Sequence, residues 1–245
     1  MAQKTMKMTL SNYQVNALQK IPYVTLFLRT ALKNVIDKKM CDLIILAAKN
    51  CDVDSHNNEV LNILPGEERV YKSIDHAENW QGPPHLPEAF LRFTDANYSK
   101  PVLKLKKNAI VILLRNLNID KGLCNGTRMR IIDMGDRLLT CEIITGDKKG
   151  KIIYIPKITL IDDQHFSCEL HRHQFPVKLA FAMTINKSQG QTFAQIGIDL
   201  RNDVFSHGQL YVAVSRGPSW DNIKILLPKS NKDNKVKNVV WKEVL

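Results

Sequence analysis

Nowhere in these 245 residues does the pattern G-x-x-x-x-G-K-[S/T] occur, which excludes a self-contained phosphate-loop nucleotidase, whose backbone N–H groups and Lys cradle the phosphates. The nearest approach, Gly146-Asp-Lys-Lys-Gly150-Lys151, is followed by Ile152 and lies between strand-like runs, so it reads as a polar hairpin turn. Paired cysteines are also missing. Cys41, Cys51, Cys124, Cys141 and Cys168 form an odd, scattered set without a C-x-x-C pair, as expected of reduced thiols in an intracellular protein. No run reaches the ~20 apolar residues of a helical membrane span, and no membrane is expected among the partners. Acidic residues are absent from the first 36 positions, which carry Lys4, Lys7, Lys20, Arg29 and Lys33. Arg and Ser are too scarce there, and a small-residue cleavage site is lacking, for a targeting peptide to be the first choice.

What is present is an excess of positive charge. A formal net charge of +11 with 44% hydrophobic residues describes a globular chain whose expected partner is a polyanion, nucleic acid foremost. The cluster His165-Phe-Ser-Cys168-Glu-Leu-His171-Arg-His173 has zinc-ligand residue types at short spacing, yet it reads better as a basic segment entering a strand, and no metal site is assigned.

Hydrophobic patterning predicts an α/β core interrupted by a β-rich piece. Leu43–Ala47 is a continuous apolar run of the kind buried on both faces of a parallel sheet; Asp52 or Asp54 caps a helix through about Leu64, stopped by Pro65-Gly66. Residues 73–101 read as loop, with a short helix near Glu88 to Phe93. Short runs at Ala109–Leu114, Arg128–Met134, Leu138–Thr145 and Lys151–Ile155, punctuated by Asn125-Gly126, Gly135-Asp136 and Gly146-Asp147, suggest a small antiparallel barrel. Val177–Met183, Ile196–Leu200 and Ile223–Leu227 resume the parallel pattern, with helices starting near Lys187 and Ser206. Lys229–Leu245 reads as a solvated, lysine-rich tail, mobile apart from residues 239–241.

Two stretches carry the chemistry: Phe175-Pro-Val-Lys-Leu-Ala-Phe-Ala-Met-Thr184-Ile-Asn186-Lys187-Ser188-Gln189-Gly190-Gln-Thr192, and Phe205-Ser-His-Gly-Gln209-Leu-Tyr211-Val-Ala-Val-Ser-Arg216. Each ends an apolar run on a polar cluster, the way buried elements deliver side chains to a ligand at a sheet edge. Gly190 lets backbone approach a nucleotide closely, although a bare Ser-Gln-Gly-Gln is more often a turn than a site. Thr184, Asn186, Lys187 and Ser188 offer short donors to successive phosphates. Arg216 ends a helix-like run, and its planar fork suits a phosphate. Arg115, Asn116 and Arg128 lie on the expected barrel as a basic rim, and Asn50 ends the first strand's polar cluster.

These stretches resemble the fifth and sixth motifs of the Pif-one-like DNA helicases, a superfamily-one group that includes the helicase part of Helitron transposons. The resemblance extends to Leu103-Lys-Leu-Lys, Val111-Ile-Leu-Leu-Arg115-Asn116, Gly122-Leu-Cys-Asn-Gly126-Thr-Arg128 and, more loosely, Leu46-Ala-Ala-Lys-Asn50-Cys-Asp-Val53 with Asn57. It implies an ATP-dependent motor moving five-prime to three-prime on single-stranded DNA between two RecA-like domains, of which this chain carries the second. The implied layout is an unmatched segment at 1–40, the RecA-like parallel sheet at 41–102 and 171–228, an inserted Src-homology-three-like barrel at 103–170, and a basic tail at 229–245. Arg216 would be the arginine finger; Gln189, Gly190, Thr192 and Gln209 would line the ATP cleft; Asn50, Thr184, Asn186, Lys187, Ser188, Arg115 and Arg128 would hold DNA. Magnesium would be held by the first domain, expected ahead of residue 41, where only about 40 unmatched residues stand, so the chain looks truncated. Asn186 stands where relatives carry His, Lys49 where they carry Thr, and His56 where they carry an apolar residue, which puts the first helix's packing in question. The alternatives are a non-enzymatic single-strand binder and an inactive transposon relic. A nuclear location is expected, with the mitochondrion left open.

Overall fold

The computed structural model describes residues 3–9, 41–82, 98–165, 168–228, 230–231 and 235–241, together with Glu88. The helix expected near Glu88 to Phe93 and most of the N-terminal segment lie outside the described residues. The fold is α/β, with mixed sheets and few helices. Contacts divide it into two units, residues 1–62 with 181–245, and residues 63–180.

The first unit is built on four parallel strands in the order β13-β2-β14-β15, namely β2 (Leu43–Ala47), β13 (Ala182–Thr184), β14 (Gln195–Asp199) and β15 (Ile223–Leu226). All of β2 is buried, because a central parallel strand is covered on both faces. Helix α1 (Asn50–Ile63) follows, with Asp52 in its first turn, where a carboxylate opposes the helix dipole. Its buried residues Val53, His56, Asn57, Val60 and Leu61 fall at i, i+3, i+4, i+7 and i+8, one helical stripe. Two of the five are polar, and each has a partner. The Asn57 amide donates to the Ala182 carbonyl (3.2 Å) and accepts the Ala182 N–H (2.8 Å), closing on that backbone as a neighbouring strand would.

His56 answers the packing question raised by its polarity. It is 1% exposed, with Nε2 2.7 Å from Asp199 Oδ2. Arg201 donates to the same carboxylate from Nε (3.0 Å) and Nη2 (2.6 Å). Burial pushes the Asp199 acid upward in pKa, but the hydrogen bonds from His56 and Arg201 outweigh it and hold the carboxyl well below the usual range. A depressed folded-state pKa gives stability that is present above the unfolded value of about 3.9 and lost as pH falls through the folded one. The urea midpoint of this unit is therefore expected to drop steeply below about pH 4, and Asp199→Asn should lower it at neutral pH and flatten that acid limb; equal acid slopes in the two proteins would contradict the assignment.

Terminal strands β1 (Gln3–Thr9) and β16 (Lys235–Trp241) pair antiparallel. The sequence pattern indicates no strand at 3–9 and order in the tail only at 239–241, so the strand at 235–241 corrects the reading of that stretch as mobile.

The second unit is antiparallel. Its largest sheet has the order β12-β6-β7-β8-β9, from β6 (Ile110–Leu113), β7 (Arg128–Met134), β8 (Leu138–Ile143), β9 (Ile152–Pro156) and β12 (Val177–Leu179). A bulge between Ile131 and Asp133 bends β7. Gly135 closes the β7–β8 hairpin, where a Cβ would stand 2.8 Å from the Leu138 carbonyl oxygen. A two-stranded sheet joins β3 (Arg69–Lys72) to β5 (Val102–Leu105). A third sheet, ordered β10-β11-β4, comprises β4 (Ile74–Glu78), β10 (Ile158–Asp162) and β11 (Glu169–Gln174). It covers a small core of Ala77, Tyr98, Leu160, Cys168 and Leu170.

Two sequence expectations need correction here. Ile74–Glu78, read as loop, is a strand, and one of its residues forms a buried ion pair, Asp75 with Arg172. The run Val177–Met183, read as one strand, is two, because its backbone changes partner: Ala180 N–H donates to Ile110, whereas the Phe181 carbonyl accepts from Ile45.

Candidate functional site

In the first unit, β13 delivers Thr184 to a 3-10 turn, Asn186–Ser188. No helix follows, contrary to expectation. Gln189 is extended (φ −57°, ψ 133°) and Gly190 has φ +79°, a conformation that L side chains rarely adopt and that takes the chain out of helical geometry. A Cβ at Gly190 would meet nothing within 4 Å, so its glycine is required by the backbone and the space over it is open. Gln189, Gly190, Thr192 and Asn186 are exposed; Thr184 and Lys187 are half-buried. Ser188 is fully buried and donates its hydroxyl to the Ile185 carbonyl at 2.6 Å, which corrects its reading as a phosphate donor: it shapes the turn instead.

The second motif forms helix α2 (Gln209–Val214), which starts after Gly208 at φ +68°, three residues later than Ser206. Gln209 is 2% exposed. Its Oε1 accepts the N–H groups of Phe205 (3.0 Å) and Ser206 (3.4 Å), and its Nε2 donates to Asn186 Oδ1 (3.3 Å). At the other end of α2, Arg216 donates from Nη1 to the Gln191 carbonyl (3.3 Å), from Nε to the Val212 carbonyl (3.0 Å) and from Nη2 to Ser215 Oγ (2.8 Å), while its own carbonyl accepts the Phe193 N–H (3.0 Å). The two motifs are thus stitched together at both ends, with the Gly190 turn between the stitches.

Every acceptor on the Arg216 guanidinium is neutral, and among the described residues no carboxylate lies within ion-pair distance of it. The ordinary fate of an arginine at a helix C-terminus, a carboxylate partner, is not met. Tyr211 and Phe205 are 72% and 54% exposed. Tyr211 is therefore no core residue.

Asn50 is exposed at the first position of α1. In the second unit, Arg115 and Asn116 are exposed beyond β6, and Asn116 Oδ1 accepts the Asn125 N–H (2.7 Å). Arg128 corrects the rim reading: it is 1% exposed, and its Nη2 donates to the Ala180 carbonyl at 3.2 Å. A guanidinium spent on interior backbone cannot reach a phosphate. The histidine-rich segment also divides. Cys168 packs in the apolar core, His165 pairs with Asp162, and His173 with Thr159.

Sequence reasoning missed the Asp199 and Arg201 partnership with His56, and Asp75 with Arg172. The signal available for the first was a histidine on an otherwise apolar helical stripe, since a buried imidazole calls for a partner.

Residues 93–134 match a family model described as "DNA helicase Pif1, 2B domain". The chain is 31% identical over 193 residues to the ATP-dependent DNA helicase PIF1 of Xenopus laevis, covering 74% of this chain and 28% of that protein. It is 32% identical over 189 residues to the human protein of the same name, covering 74% and 27%. Among solved structures, the Pif1 helicase from Candida albicans shares the fold at TM-score 0.60, with 24% identity and coverage of 82% and 53%. A structure of two coordinating Pif1 helicases on forked duplex DNA matches at 0.57, with 27% identity and coverage of 84% and 47%. Bacteroides Pif1 in complex with ADP-AlF3 and single-stranded DNA matches at 0.55, with 25% identity and coverage of 84% and 49%.

The match of residues 93–134 to a helicase-domain model and the similarity to Pif1 relatives over 74% of the chain set its class, that of helicase-related proteins. The chain belongs to the Pif1-like helicase family. It spans a little over a quarter of the length of the curated relatives it matches.

Proposed function

We propose that this chain is the C-terminal motor half of an ATP-dependent, five-prime to three-prime DNA helicase. The parallel sheet, whose strands lie at 43–47, 182–184, 195–199 and 223–226, is read as the core of the second RecA-like domain, and the five-stranded antiparallel sheet, whose strands lie between 110 and 156 with Val177–Leu179, as its Src-homology-three-like barrel, with 229–245 as a basic tail. One observation carries the reading: Gln209 and Arg216 tie the second motif to both sides of the Gly190 turn, so a nucleotide-sensing group and a DNA-gripping loop share one rigid backbone.

In this reading Gln189, Gly190 and Thr192 face ATP, and Arg216 exchanges its neutral carbonyl acceptors for the γ-phosphate when a facing domain closes. Charge spreading over the phosphate oxygens in the transition state is stabilised by such an arginine. Asn50, Thr184, Asn186, Lys187 and Arg115 hold the backbone of single-stranded DNA without reading bases. Gln209, buried between Asn186 and the start of α2, transmits one state to the other. The phosphate loop and the magnesium ligands come from a first domain, in cis or in trans. The relatives are named ATP-dependent DNA helicases, and a structural neighbour is in complex with ADP-AlF3 and single-stranded DNA, which supports this assignment. A nuclear location is part of the same proposal.

A second reading is favoured by the net charge of +11: a single-strand-binding module without enzymatic activity. Fluorescence anisotropy on an oligothymidine separates the two. The motor-half reading predicts salt-sensitive binding that responds to ATP once a phosphate-loop domain is supplied. Binding indifferent to ATP in that mixture establishes the second reading.

A further inference from the structure

We propose that Glu78, Glu169 and His171 form a divalent transition-metal site, suited to zinc, on the solvent face of the β10-β11-β4 sheet. Strand alternation puts Leu170, Arg172 and Gln174 inward, each fully buried, and Glu169 and His171 outward. Register sets Glu169 opposite Glu78 and His171 opposite His76. His171 Nε2 stands 3.3 Å from Glu169 Oε2 and 3.8 Å from Glu78 Oε2, and the three donor atoms lie within 4.8 Å of one another. Metal bonds of roughly 2.0–2.1 Å in a tetrahedral shell separate neighbouring donors by about 3.3–3.4 Å, so modest side-chain rotation closes the set.

The electrostatics call for a cation. Two carboxylates directly opposite on antiparallel strands repel each other, and among the described residues neither has a Lys or Arg within ion-pair distance. His171 alone stands between them. His76, whose ring meets His171 edge-on at a centroid distance of 6.4 Å, is placed to supply a second imidazole. One or two imidazoles with two carboxylates is a donor set that zinc accepts. Thiolate is not part of it, because Cys168 faces the core. The ion would clip β4, an edge strand, to β11 and so hold the start of the segment that leads on to Tyr98.

The test uses the untagged full chain, stripped with a chelator, and zinc alone as the titrant in calorimetry and thermal melting. One zinc per chain and a raised melting midpoint are expected. Glu169→Gln should weaken zinc uptake at least about 10-fold, while its metal-free midpoint equals or exceeds that of the parent, since the like-charge pair is gone. His171→Ala should show the same loss of uptake, and His173→Ala, which lies opposite Thr159, should leave it unchanged. Failure of the parent to take up zinc overturns the proposal, as does uptake unaltered in Glu169→Gln or lost in His173→Ala.

Discussion

Replacing Arg216 with alanine is expected to lower DNA-stimulated ATP turnover by the assembled motor roughly a thousandfold or more, the scale on which arginine fingers act. Among the described residues the guanidinium donates to the carbonyls of Gln191 and Val212 and a serine hydroxyl, all neutral, and those acceptors are readily exchanged for phosphate oxygens. Because the same side chain latches the Gln191 loop, its removal also loosens that loop. Lysine at 216 separates the two roles: it retains the charge but loses the fork, and should recover little turnover. Oligothymidine affinity in both variants should stay within a few fold, since Arg216 is not among the residues assigned to DNA. Equal loss of DNA binding and turnover would mean that the arginine acts only as a latch.

The largest stability effect is expected at Asp75. Arg172 donates to Asp75 from Nε (3.0 and 3.1 Å) and Nη2 (2.8 Å) and to the Ser99 carbonyl from Nη1 (2.9 Å), with side-chain exposures of 0% and 2% for the pair. The Tyr98 ring packs 5.1 Å from the guanidinium carbon. Asp75→Ala removes the carboxylate that Nε and Nη2 of this buried guanidinium reach, and should destabilise the second unit by about 3–5 kcal/mol in urea unfolding. The double replacement Asp75→Leu with Arg172→Met removes both charges together and should recover most of the loss. If the single and double variants are equally unstable, packing rather than charge compensation holds β4 in place.

How far the sequence discloses this fold depends on where each element's partners are. Leu43–Ala47 and Arg128–Met134 have the same limits as strands β2 and β7, because continuous or alternating apolar residues report burial directly. Ile74–Glu78 has one buried residue, Ala77, and an Ile74 that is 72% exposed; its strand state comes from pairing with β11, about a hundred residues away, which no local pattern encodes. Arg128 looked like surface because charge usually is, while its actual acceptor, the Ala180 carbonyl, carries no side-chain signature. At the candidate site, Gly190 and Arg216 were legible as residue types. That Ser188 is spent on its own turn, and that Gln209 reaches Asn186, depended on geometry that only the folded backbone supplies.

The most direct test of the central claim is steady-state ATP hydrolysis with single-stranded DNA, measured for the purified 245-residue chain alone and mixed with the phosphate-loop domain of a Pif1-like helicase. Background turnover is expected for the chain alone, DNA-stimulated turnover in the mixture, and loss of that gain with Arg216→Ala. Robust hydrolysis by the chain on its own, abolished by Arg216→Ala, would contradict the claim.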